Sequence, residues 1–232
     1  MPGRKNAPTK RRVTRQDLWR SIKSANLKDV QEFITSTPEL LDANNSHHER
    51  PLSLAIKLGN VEVVRFLIEA GAQTQWDVHG VPIDLLMIAA FFGHIEIGQY
   101  LITQNFAPNS LHAAGLDDVE LLANLSQADA GCLQVFDPRI RDQPIHIASR
   151  AGSRNALEFL VTNGIDVDAA NQRDQTPLFL VAECVHTERA FECARFLLAS
   201  GADPRAYSSF SECTAAGYAK KRRKPKLVKL LS

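Results

Sequence analysis

The sequence predicts an all-α chain built as a stack of about seven helix-turn-helix units, and three observations carry that reading. In residues 51–72, PLSLAIKLGNVEVVRFLIEAGA, two apolar stripes flank Gly59 and a second glycine, Gly71, closes the latter stripe. Leu52, Ala55 and Ile56 share one face at helical spacing, as do Val63, Val64, Leu67 and Ile68. Each predicted helix is about two turns long, too short to stand alone in water, so it must be buried against copies of itself. The copies exist. Aligned on Ala55, units recur at Ser21, Ala89, Ala113, Ala148, Val181 and Ala219, with successive spacings from Ser21 of 34, 34, 24, 35, 33 and 38 residues.

Thr176-Pro177-Leu178 and Gln143-Pro144-Ile145-His146-Ile147-Ala148 carry a more specific signal. They resemble the Thr-Pro-Leu-His-x-Ala signature of the ankyrin-repeat family, whose unit of about 33 residues is a turn followed by two helices. The resemblance covers roughly residues 17–232 and implies one ankyrin-repeat solenoid with terminal caps. It also implies projecting β-hairpin fingers and a concave face that binds proteins. For His112 and His146, at or beside the motif histidine, it implies hydrogen bonds to backbone in the adjoining turn rather than general-base chemistry.

Taken in order, residues 1–16 hold Pro, Gly and six basic side chains with no acid, the composition of a disordered tail. The repeat domain is expected over 17–232. Asp17 is placed to cap a first helix bearing Leu18, Trp19 and Ile22, and Asn26 opens a second with Val30, Phe33 and Ile34. This polar unit reads as a terminal cap. Pro51 suits the first turn of its helix. Residues 73–82 form a connector, followed by helices ending in Phe91-Phe92-Gly93 and carrying Ile97, Tyr100 and Leu101. The fourth unit is about ten residues short around Phe106-Ala107-Pro108-Asn109, so it should lack its finger, and Asp117 stands where glycine is usual. Residues 131–142 restore a finger. The sixth unit has about four extra residues between its helices, at 185–189, and the last ends in a short helix over 227–231.

Composition narrows the function classes. A hydrophobic fraction of 44% and a charged fraction of 23% are those of an ordinary globular protein. No apolar run reaches the length of a membrane span, and the N-terminus lacks the apolar core of a secretory signal. Cys132, Cys184, Cys193 and Cys213 form no Cys-x-x-Cys pair and read as free thiols in a reducing compartment. The expected location is intracellular, in the nucleus, the cytoplasm or both. Six basic residues lie in 1–16 and seven in 220–232, leaving 14 of the 27 against all 26 acidic residues, a net of −12 for the middle. An acidic body with two cationic ends argues against nucleic acid in a groove and leaves only tail contacts with phosphate.

No catalytic motif is present: there is no nucleophile elbow, phosphate-binding loop or His-Glu-x-x-His zinc signature. No cofactor or metal is expected, since His47-His48 has no third ligand at usable spacing and the segment after Gly164 fails as a calcium loop. The chain reads as a non-enzymatic adaptor that binds a protein through its concave face and turn tips. The alternative is a nuclear, nucleic-acid-associated regulatory factor acting through its basic ends. The expected partner-binding residues are Phe91 and Phe92 at an inner-helix end, with His47, His48, Arg139, Ile140, Arg141, Gln172 and Arg173 at turn tips. Of the two phenylalanines at least one should be exposed, because neighbours on a helix point about 100° apart. Lys220, Lys221, Arg222, Arg223, Lys224 and Lys226 form a basic run of the kind importin reads as a nuclear localisation signal. With Pro225 within it, the run is expected to fray and be mobile.

Overall fold

The computed structural model describes residues 13–232. Most of the expected basic tail, residues 1–12, lies outside the described residues. Among those described, fourteen α-helices form seven antiparallel pairs, grouped in two compact units that divide after Ile83.

The first unit holds α1 (Arg15–Lys23) and α2 (Leu27–Ser36), then α3 (Pro51–Lys57) and α4 (Val61–Glu69), and ends in a two-stranded hairpin. Helix α1 begins three residues earlier than expected. Thr14 is its N-cap and Asp17 is the third helical residue, returning a hydrogen bond to the Thr14 amide. The acidic side chain that the sequence suggests as the cap is therefore the second half of a capping box. Leu18, Ile22, Val30, Leu52, Ile56, Val64 and Leu67 are buried, the stripes that period 3.6 dictates. The hairpin pairs β1 (Asp77–Val78) with β2 (Val81–Pro82).

The second unit contains five pairs. They are α5 (Leu85–Phe92) with α6 (Ile95–Thr103), α7 (Ser110–Gly115) with α8 (Val119–Ala128), and α9 (Pro144–Ala151) with α10 (Arg154–Thr162). Then follow α11 (Pro177–Val181) with α12 (Thr187–Ala199) and α13 (Ala215–Lys221) with α14 (Pro225–Leu231). The first helix of each pair packs on the first helix of the next, and one continuous core runs from Ala113 to Leu231.

Three features depart from simple repetition. Between α6 and α7 only six residues remain, so the fourth pair has no finger. Its first helix is also short, and α5 packs on α9 as well as on α7. Two glycines allow this approach. A Cβ on Gly115 would lie 2.5 Å from the carbonyl oxygen of Ala90, and one on Gly93 would lie 2.5 Å from that of Ala151. Met87, Leu111 and Ile147, one from each of the three first helices, close over the junction as a small apolar cluster with Phe91 packed against it.

The finger expected at 131–142 has no strands. A 3-10 segment, Ala130–Gln134, leads into a tight turn in which the Asp137 amide donates to the Asp142 carbonyl (2.8 Å) and the Asp137 carboxylate accepts from Arg139. The second hairpin of the structure lies further on, where β3 (Tyr207–Ser208) pairs with β4 (Cys213–Thr214). The insertion of the sixth unit is only partly a loop. Thr187, Glu188 and Arg189 form an extra first turn of α12, which at 13 residues is the longest helix described. The final helix starts at Pro225 rather than near Leu227, with the proline at a first-turn position where its missing N–H costs nothing.

Candidate partner-binding site

The turn tips are made by side chains folding onto their own backbone. In the first unit, Asn45 Oδ1 accepts from the amides of His47 and Glu49, and His48 takes φ +57°, so both histidines stand exposed on a closed turn. Asn171 repeats the device in the second unit, accepting from Arg173 and Gln175. Aspartate and asparagine suit this because their short side chains mimic a turn of backbone.

Three successive tips of the second unit join edge to edge. The Gln172 amide donates to the Ile140 carbonyl at 3.0 Å, and Ser208 Oγ donates to the Arg173 carbonyl at 2.7 Å. Gln175 Nε2 donates to Ser211 Oγ, and Ser209 Oγ bonds Asp174. The result is a strip that brings together Arg139, Ile140, Arg141, Gln172 and Arg173. It adds aromatic residues that the sequence reading missed: Arg141 stacks over Phe136 and Arg173 over Phe210, with Tyr207 close by in the chain. Phe136, Tyr207 and Phe210 are 45%, 59% and 65% exposed. Their signal in the sequence is position, since they are large aromatics in connectors, outside every buried helical stripe.

Phe91 and Phe92 lie elsewhere, at the C-terminal ends of the first helices. Neither is fully exposed; both are half-buried and meet edge to face. Besides Leu111 of the fourth pair, which packs on Phe91, groups from the fifth and sixth pairs reach across to cover them. The Arg150 guanidinium sits over the Phe91 ring at 4.4 Å, and His186 Nε2 bonds the Phe92 carbonyl. Register explains the first contact. Phe91, Gly115, Arg150 and Glu183 each stand two residues after the aligned small residue of their unit. With no side chain at Gly115, the groups on either side of it meet. Arg150 is buried and paired to Asp142 (3.1 Å) and Glu183. Asp142 in turn accepts from Asn171 at 2.6 Å. A buried polar chain thus connects this end of the helices to the tips. Around it, Phe91, Phe92, Arg150, Glu183, Tyr218 and Arg222 line a cavity of about 180 Å³, with Val185 at its edge.

The basic run forms the end of α13, a turn with Arg223 at φ +57°, and the start of α14. Lys224 Nζ is turned inward to the Cys184 carbonyl, Lys221 Nζ reaches the Ser211 carbonyl and Lys226 pairs with Glu188. Lys220, Arg222 and Arg223 are exposed.

The buried histidines and cysteines have structural surroundings. His146 Nδ1 accepts from the Gln143 amide, which leaves the proton on Nε2 to donate to the Ala169 carbonyl, 2.9 Å away in the next turn. Burial pushes its pKa below the usual histidine range. His112 departs from the expected backbone bond. Its Nδ1 accepts from the Asn109 amide, but its Nε2 donates at 2.9 Å to the Asp84 carboxylate, because the connector after α8 is a 3-10 segment rather than a turn that offers a carbonyl as Ala169 does. Partial burial would raise the Asp84 carboxyl, but the His112 bond and the amides of Met87 and Leu86 outweigh it and hold the pKa low. All four cysteines are free; burial pushes the Cys193 thiol up to about 12, far from a nucleophile. Among the described residues, no group of three or more candidate side chains could hold a metal, and no helix is long and apolar enough to cross a membrane.

Comparison with known proteins agrees with this architecture. A family model described as ankyrin repeats (3 copies) matches residues 18–112 and 111–208. Ankyrin repeat and SAM domain-containing protein 6 of Rattus norvegicus is 33% identical over 92 residues, 39% of this chain and 10% of that protein. Its counterpart from Mus musculus matches to the same extent. Ankyrin repeat and KH domain-containing protein mask-1 of Caenorhabditis elegans is 26% identical over 188 residues, covering 75% of this chain and 7% of its own length. The chain therefore spans a tenth or less of each of these relatives.

Proposed function

The chain belongs to the ankyrin-repeat family, whose repeats are generally protein–protein interaction modules and typically not enzymes, and we propose that it is a non-catalytic adaptor binding a protein partner inside the cell. The joined tips of the second unit carry this reading. Phe136, Tyr207 and Phe210 stay largely in water, and the arginines stacked on two of them return only about 0.5–1 kcal/mol each to the chain's own stability. Aromatic and arginine side chains on a preformed surface are the residues that dominate binding energy at interfaces. The tips are closed by their own hydrogen bonds, so a partner need not order them first. His47 and His48 offer a smaller tip of the same construction in the first unit. Phe91 and Phe92 contribute at the opposite ends of the first helices.

Reversing charge at two tips, Arg139→Glu with Arg173→Glu, tests the proposal. Helical circular dichroism should be retained and stability should fall by only about 1–2 kcal/mol, because Arg139 is exposed and half-buried Arg173 gives up mainly its stacking on Phe210. Capture of the cellular partner, performed with and without nuclease, should be lost in both arms. Full capture by the variant refutes the tip surface. A partner that disappears only with nuclease refutes a protein partner in favour of nucleic acid.

A further inference from the structure

We propose that the cavity at the helix ends, together with the basic turn beside it, is a pocket for an acidic peptide segment bearing one large apolar side chain. The proposal rests on the reading above, that the chain binds a protein, and specifies what one part of that protein must look like.

Size and lining define the apolar half. An apolar cavity of about 150 Å³ is enough to take up benzene. The 180 Å³ here would accept one aromatic or branched side chain. Its walls supply three rings, Phe91, Phe92 and Tyr218, and the Tyr218 ring is braced from below by buried Phe179 at 4.9 Å between centroids. Arg150, Glu183 and Arg222 share the lining with these rings, so the walls suit an aromatic side chain that can pack on a ring and lie against a guanidinium.

Charge defines the rest. Within the cavity Arg150 faces two carboxylates, Asp142 and Glu183, so it offers no positive charge to a guest, and any attraction for an acid must come from the turn. Arg222 is different: it reaches the lining from the turn after α13, is exposed, and is in no ion pair among the described residues. Lys220 and Arg223 flank it, also exposed, whereas Lys221, Lys224 and Lys226 are tied to the fold. The inward Lys224 and the bond from Lys221 to the Ser211 carbonyl fix the turn, with Arg222 in the cavity wall and Lys220 and Arg223 exposed on the same turn. A carboxylate next to the apolar anchor would meet Arg222, and further acidic residues would pass along the rim. A partner of opposite sign is also drawn to this rim at longer range, while the acidic remainder of the chain repels it elsewhere.

The test uses the full chain and a short fluorescein-labelled peptide of alternating Asp and Glu with one central Phe, read by fluorescence anisotropy. The expected result is saturable binding that weakens with salt. Replacing the central Phe by Gly, replacing the acids by Lys, or introducing Arg222→Glu should each weaken binding roughly tenfold or more. Lys220→Glu, whose side chain leaves the cavity wall intact, should weaken it in the same direction. Arg195→Glu on the surface of α12 should leave it unchanged. No binding, equal binding of the Phe and Gly peptides, or indifference to both rim variants would overturn the proposal, as would tighter binding of a single-stranded oligonucleotide of equal charge. If the peptide fails while the tip variant still loses the cellular partner, the pocket is wrong and the adaptor reading stands.

Discussion

Asp117 shows how one side chain compensates for a departure from the repeat pattern. Gly59, Gly93 and Gly152 close their helices with φ of 75°, 66° and 79°, and Asp117 takes φ 57° at the corresponding place. Its carboxylate then accepts from the Ala156 amide (2.8 Å) and from Asn155 Nδ2 in the first turn of α10. Ser153, the N-cap of that helix, instead turns back to donate to the Gly115 carbonyl. Asp117→Ala should therefore cost about 2 kcal/mol, the lost cap plus an unsupported left-handed residue. Asp117→Gly should cost under about 1 kcal/mol, since glycine regains the backbone ease. Urea denaturation of both variants checks the order. His146 gives a second prediction at this scale. Its folded pKa lies below that of the unfolded chain, so the unfolded state binds more protons between the two values. Stability should fall as pH drops from about 6.5 toward the folded pKa. His146→Asn should lower stability at neutral pH yet flatten that slope in thermal melts. The backbone role of Asp117 was readable from its place at a usual glycine position, but its capping role was not, because the donors it accepts from lie 38 and 39 residues away. The histidine was readable, since the Pro-Ile-His motif fixes both its capping amide and its neighbouring turn.

At the scale of elements, the periodic stripes were enough to place every helix pair, because short amphipathic helices have only one way to bury their apolar faces. Boundaries were less legible where side-chain hydrogen bonds decide them, as at Thr14 and Asp17, or where an insertion could be either loop or helix, as at 187–189. The direct packing of α5 on α9 was hidden for a related reason: it depends on what is missing between them. Gly115→Ala tests that account. The new Cβ would meet the Ala90 backbone, which cannot move as a flexible side chain could, so the variant should lose about 1–3 kcal/mol despite the better helix propensity of alanine. A gain in melting temperature would show that α7 has room to spare. The candidate site divides along the same line. Tip residues were found because connectors are visible as such, whereas Arg150 and Glu183 became recognisable only once Gly115 let the groups on either side of it meet.

For the molecule as a whole, repeat proteins normally behave as a chain of units coupled only to their neighbours, so that unfolding can start at one end and stop part-way. The second unit is not wired in that manner. His186 and Arg189, on the extra turn of α12 and the residue before it, bond the carbonyls of Phe92 and Gly93, 94 and 96 residues back along the chain. The sixth pair thereby clasps the third, so that opening either one also breaks bonds of the other. Such a clasp turns a zipper into a latch. Residues 84–232 should lose helicity in a single urea transition whose steepness reflects exposure of the entire unit. Arg189→Ala combined with His186→Ala should broaden that transition or split it, with amide exchange in α13 and α14 accelerating ahead of α9. A module latched in this way is either wholly present or wholly absent as a binding surface, with no half-folded form left to compete for its partner or to aggregate.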